Sequence, residues 1–146
     1  VLQLGPGTGY GLDGQAFSVS TQYFEERPPR EQGTEMDAGI AFGIRDSENF
    51  LLLEQSALHD VLRLDEYVHG RRRDVREILA RTHGDEWHTL GVRVDGAHVT
   101  ALLDAQPMFE TDLDDAQLAQ GGVGVWARAA AATCFSDAQA EVSDAR

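Results

Sequence analysis

Five side chains along the 146-residue sequence have the types needed to hold a sugar: Trp126, Arg128, Arg45, Arg63 and Glu54. A sugar presents C–H patches that stack on an aromatic ring, and hydroxyl pairs that match the planar forks of guanidinium and carboxylate groups. Alternation gathers these five. If Val123 and Val125 face a core, Trp126 and Arg128 face outward together. By the same rule Arg45 stands opposite Ile44, Arg63 and Asp65 opposite Leu62 and Leu64, and Glu54 opposite Leu53. The competing reading makes Trp126 a packing residue and the arginines a solvated, salt-bridged surface.

Other chemistries find less support. Residues 9 to 14, GYGLDG, fit G-x-G-x-x-G. That loop binds dinucleotides only between a strand and a helix, where helix amides meet a pyrophosphate. Here a short strand at best precedes it, and the segment after it alternates with period two through Phe17, Val19, Thr21 and Tyr23. The glycines therefore read as a flexible leading segment. The histidines at 59, 69, 83, 88 and 98 form neither H-x-x-x-H nor H-E-x-x-H, and read as exposed polar residues. The single cysteine, Cys134, excludes an internal disulfide and a cysteine-cluster zinc site, and reads as a buried inert thiol.

The elements that must position these residues are strands. Residues 16–24, 37–45, 50–55, 61–67, 87–94, 97–104, 121–127 and 133–142 alternate or run apolar, with turn signals about every ten residues. Residues 73–81 also fit a helical stripe through Val75, Ile78 and Leu79. Strand neighbours and the His69–Gly70 turn favour a hairpin arm instead. Asp95–Gly96 is a two-residue hairpin turn, Met108–Phe109 starts a short strand, and 112–120 holds a helical turn with Asp112 or Asp114 as N-cap. Trp87 anchors its strand in the core. Residues 25–36, with Pro28 and Pro29, form a long exposed loop, and residues 1–15 a Gly-rich lead into one domain spanning 1–146. Nine to eleven strands with almost no helix require two antiparallel sheets over a shared core, an all-β sandwich or jelly roll.

Composition bounds the partners. The net charge is −13, and all 12 basic residues are arginine. Such a chain repels a phosphate backbone, and its one basic cluster, Arg71 to Arg73, is followed by Asp74 and Glu77; nucleic acid is not an expected partner. No apolar run approaches the ~20 residues that span a bilayer, so membrane insertion is not expected either.

From Ala38 to Val142 the order of motifs resembles the concanavalin A-like jelly rolls, in particular the branch of laminin G-like modules and 3-keto-disaccharide hydrolase-like domains. The residues that carry the likeness are 38–53, with Asp46-Ser-Glu-Asn49-Phe50; 86–94, EWHTLGVRV; 99–104; 122–126, GVGVW; and Phe135-Ser-Asp137. The resemblance implies a non-catalytic module that binds carbohydrate on the outer concave sheet face, with an extracellular or cell-envelope setting. The alternatives it carries are a glycoside or 3-keto-disaccharide hydrolase-like enzyme, and a structural domain that meets another protein. Glucanases of this scaffold carry Glu-x-Asp-x-x-Glu on one strand; the sequence has no copy. Retaining hydrolysis requires carboxyls only about 5 Å apart. Several families of the scaffold hold a structural calcium between the leading segment and an acid on the last strand. Asp137 matches that acid by position, with Asp13 or backbone carbonyls of the Gly-rich leading segment as its partners, and calcium favours such oxygen donors.

Overall fold

The computed structural model describes residues 2–3, 16–26, 37–82, 84–128 and 133–143. Residues 9–14, most of the 25–36 loop, Asp13 and His83 lie outside them. The period-two segments become strands: β1 (Leu2–Gln3), β2 (Ala16–Glu25), β3 (Asp37–Asp46), β4 (Asn49–Ser56), β5 (Val61–Val68), β6 (Arg71–Leu79), β7 (Trp87–Asp95), β8 (His98–Leu103), β9 (Gln106–Asp112), β10 (Gly122–Ala127) and β11 (Thr133–Ser143). One sheet has the order β1-β10-β3-β4-β5-β6 and the other β11-β2-β7-β8-β9, with antiparallel pairing throughout. The order shuttles between sheets, so sequence neighbours such as β2 and β3 lie in opposite layers.

The inner faces bury the expected sets. Phe17, Val19, Leu90, Val92, Val94, Val99 and Ala101 come from one sheet, and Ile40, Phe42, Leu51, Leu53, Leu62, Leu64, Val123 and Val125 from the other. Residues 71–79 are an edge strand, largely exposed and studded with charge. An edge of that composition resists pairing with a second chain. The helical stripe of Val75, Ile78 and Leu79 gives way because the turn at His69 (φ 50°) and Gly70 (φ 76°) has the left-handed geometry that folds two strands back on each other.

Three local expectations are corrected. Trp87 is 53% exposed, tilted against Phe24 at 5.6 Å between ring centroids. Leu90, Val92 and Val94 face inward, and parity therefore sends Trp87 out and turns His88 inward, where its side chain is 10% exposed beside Tyr23. Cys134 is exposed, because its register partner on β2 is the outward Phe24 and not the inward Tyr23. The turn after β9 is a 3-10 helix over Ala116–Ala119, capped by Asp115, whose carboxylate accepts from the Gln117 amide at 2.9 Å. This turn packs on β3 at Gly43 (φ 57°), where a Cβ would strike the Leu118 carbonyl.

Candidate functional site

Register places a row of side chains across the outer face of the first sheet. Trp126 on β10 pairs with Gly39 on β3, Gly39 with Glu54 on β4, Glu54 with Arg63 on β5, and Arg63 with Glu77 on β6. The next row runs Gly124, Ala41, Leu52, Asp65 and Asp74. Small residues on β3 and β10 make a low floor beside the charged residues of β4 to β6. Gly39 matters most: a Cβ there would sit 3.3 Å from Trp126 Cε3 and 2.8 Å from the Leu53 carbonyl oxygen. The indole packs over bare backbone.

The charges on this face are locked to one another. Arg63 donates through Nε (2.7 Å) and a terminal nitrogen to the same Glu54 oxygen. Its Nε lies 3.2 Å from Asp65 Oδ2, and its other terminal nitrogen 3.7 Å from Glu77. Arg72 Nε approaches Asp65 Oδ2 at the same 3.2 Å, and a terminal nitrogen of Arg72 donates to Asp74 at 2.9 Å. Arg128 donates to Asp37 at 2.6 Å, with its guanidinium 5.8 Å from the centre of the Trp126 ring. Phe50 and Tyr67 stack at 4.7 Å along the same face.

Burial tunes these groups. Asp65 is fully buried, and neither arginine reaches it in hydrogen-bonding direction. Desolvation pushes its carboxyl up to about 7, against the pull of Arg72 and Arg63 and with help from Glu54. The Tyr67 phenol is raised by burial first and then by the charges of Glu54 and Asp65. Glu54 and Leu52 are buried too, although they face away from the core. The groups left within reach of a ligand are the half-buried Trp126 and Tyr67, Arg72 and Arg128, and the exposed Asp74 and Glu77. Such a surface offers an aromatic ring, forked donors and acceptor oxygens at fixed spacing.

Of the five residues expected to act together, the structure brings together Trp126, Arg128, Arg63 and Glu54. Arg45 stands apart. It lies six residues beyond Gly39, about 20 Å along an extended strand, on the exposed hairpin end past the irregularity between Phe42 and Asp46. Sequence reasoning left out Arg72, Tyr67 and Asp37. The two-residue turn at 69–70 was signal enough for the first two, since it fixes Tyr67 opposite Arg72. Asp37 carried no such signal, because its contact with Arg128 spans 91 positions. Asp137, the expected calcium ligand, is exposed with φ 50° in the irregular stretch of β11 between Ser136 and Gln139. Among the described residues no group of three or more His, Cys, Asp or Glu side chains is arranged to hold a metal.

No protein-family model matches the sequence, and no curated protein matches it. Similar folds are found among solved structures. The carbohydrate-binding module CBM66 from Bacillus subtilis superposes with a TM-score of 0.75 at 15% identity, over 88% of this chain and 76% of the module. Sheep galectin-11, solved with glycerol, gives a TM-score of 0.70 at 8% identity, over 97% and 98% of the two chains. A mutant of the GH43 protein BlXynB from Bacillus licheniformis gives 0.67 at 13% identity over 88% of this chain, which spans only 28% of that protein. At these identities the likeness shows the fold alone, an antiparallel β-sandwich of jelly-roll type.

Proposed function

We propose that this jelly-roll sandwich is a non-catalytic carbohydrate-binding module whose ligand lies on the outer face of the six-stranded sheet, against Trp126. The observation that carries the reading is the row Trp126, Gly39, Glu54, Arg63: an indole laid on a glycine floor beside a guanidinium–carboxylate clamp. Stacking on the ring supplies apolar contact, and Arg72, Asp74, Arg128 and Glu77 offer donors and acceptors to hydroxyls at its rim. The clamp beneath holds those groups in place before a ligand arrives, which lowers the ordering cost of binding. The solved relatives in fold include a carbohydrate-binding module and galectins, which supports the same reading.

One observation favours a second reading, glycoside hydrolysis. Asp65, held near 7, has the protonation range of a general acid, and Glu54 stands on the adjacent strand of the same face. Against it, Glu54 is bound by Arg63 and both carboxyls are sealed from solvent, where neither meets a glycosidic oxygen. Glycan-array screening followed by calorimetry, with a hydrolysis assay on every glycan bound, separates the readings. We expect binding without turnover, weakened at least tenfold in Trp126→Ala with the melting temperature nearly unchanged; tenfold corresponds to about 1.4 kcal/mol. Turnover abolished by Asp65→Asn sinks the module reading, and unaltered glycan affinity in Trp126→Ala sinks the assigned face.

A further inference from the structure

A second set of side chains lines the opposite sheet, away from the Trp126 row. On β2 the residues Phe17, Val19 and Tyr23 face the core, as do Leu90, Val92 and Val94 on the neighbouring β7. Alternation therefore turns Ser18, Ser20, Gln22 and Phe24 outward on β2, and Trp87, Thr89, Gly91 and Arg93 outward on β7. Register joins them as four cross-strand pairs: Phe24 with Trp87, Gln22 with Thr89, Ser20 with Gly91, and Ser18 with Arg93. The result is a two-strand strip about 20 Å long. Its Trp87 end is an indole more than half exposed, propped by the Phe24 ring at 5.6 Å. At its Arg93 end lies a depression of about 300 Å³ lined by Ala16, Ser18, Arg93, Asp95, His98 and Thr100.

In a chain with 25 acidic residues, none of these eight outward residues is a carboxylate, and Arg93 is their one charge. Carboxylates stand at the borders: Glu141 beside Ser18, Asp104 beside Thr89 and Asp95 in the depression. Among the described residues, no hydrogen bond or ion pair engages the side chains of Ser18, Ser20, Gln22, Thr89, Trp87 or Arg93. On the six-stranded face, by contrast, guanidinium and carboxylate groups are already locked to one another. A protein partner would need a larger apolar centre than one indole and one phenyl ring. A polyanion would meet a single cation on a chain of net charge −13. An uncharged glycan meets neither objection. Its C–H face stacks on the indole, and its hydroxyls exchange hydrogen bonds with the amide, the hydroxyls and the guanidinium fork.

We propose that this strip is a second glycan-binding surface, which holds an extended, uncharged sugar chain along β2 and β7 from Trp87 to Arg93. Its length selects an oligosaccharide over a single sugar: one ring covers the indole alone, and only a longer chain also reaches Gln22, Ser20 and Arg93. The surface lies on the sheet opposite the Trp126 row and does not depend on it. With both faces filled, one copy of this chain bridges two glycan strands, a consequence that rests on the Trp126 reading as well.

The two tryptophans of the chain, Trp87 and Trp126, make the test specific to each face. In Trp126→Phe the indole fluorescence comes from Trp87 alone, and the probes are xylohexaose, cellohexaose and laminarihexaose. At least one hexaose should shift the Trp87 emission to the blue and protect it from acrylamide quenching, while its monosaccharide at equal concentration does neither. Gln22→Ala in that background should weaken the effect at least tenfold. Calorimetry on the otherwise unaltered chain gives an independent readout: two hexaose chains per protein, reduced to one in Trp87→Ala with the melting temperature unchanged. Trp87 emission and quenching indifferent to all three hexaoses overturn the proposal, and so does a response that Gln22→Ala leaves intact. One bound chain, lost in Trp126→Ala and kept in Trp87→Ala, also overturns it and leaves the Trp126 face standing. One bound chain lost only in Trp87→Ala supports it and removes the Trp126 face instead.

Discussion

Asp65 shows how much one buried side chain decides. It lies at the centre of the outer face, fully buried between Arg63 and Arg72, with its carboxyl raised from 3.8 to about 7 by desolvation. A carboxyl raised in the folded state binds its proton more tightly there than in the unfolded chain. Its contribution to stability is thus fully present below about pH 4 and is lost as pH rises through 7, at up to about 1.4 kcal/mol per pH unit in between. Urea denaturation of wild type and Asp65→Asn across pH 4–8 should give a smaller decline in the variant. Parallel curves would show that Asp65 titrates at its ordinary value. Parity acts at this scale too. Trp87, large and apolar, is turned to solvent by its place in β7, while the polar His88 occupies the inward position and bonds Asp104 at 3.0 Å. Hydrophobicity ranks residues, but strand alternation chooses among them.

The elements set where side chains can meet. Strand β3 is the clearest case, with Ile40 and Phe42 inward and Gly39, Ala41 and Gly43 on the other side. The bare side admits the indole at Gly39, and at Gly43 it admits the 3-10 turn of Ala116–Ala119. Gly43→Ala combines a left-handed backbone with a clash against the Leu118 carbonyl, so a loss of about 2 kcal/mol or more is expected in chemical denaturation. Gly96→Ala, where the added methyl meets no atom within 4 Å, serves as the control and should cost only the backbone strain. Equal losses in the two variants would remove the packing argument at Gly43. The same strand shows why Arg45 leaves the site: an irregularity after Phe42 ends the alternation that carried the sequence argument past Ile44.

At the scale of the whole molecule, two layers share one core, and stability depends on the facing side chains rather than on either sheet. Leu53 on β4 is fully buried in that core. Leu53→Ala should cost about 2–5 kcal/mol in chemical denaturation, in one transition followed alike by fluorescence and circular dichroism. Two separate transitions would mean that the sheets unfold independently. Among the described residues no helix is long and apolar enough to cross a membrane.

The sequence by itself determined the strands, their inward faces and their hairpin turns, because these depend on period-two burial and on neighbours a few positions apart. It also placed Trp126, Arg128, Arg63 and Glu54 on the outward faces, for the same reason. Only the tertiary structure decided which strands are neighbours, and so which outward residues touch. The order β10-β3-β4 sets Trp126 beside Gly39 and Glu54, and Arg128 on Asp37, across separations that no local pattern encodes. Burial of Glu25, Asp37 and Asp65 was hidden for the same cause: an acidic residue reads as exposed until a second layer or a neighbouring strand closes over it.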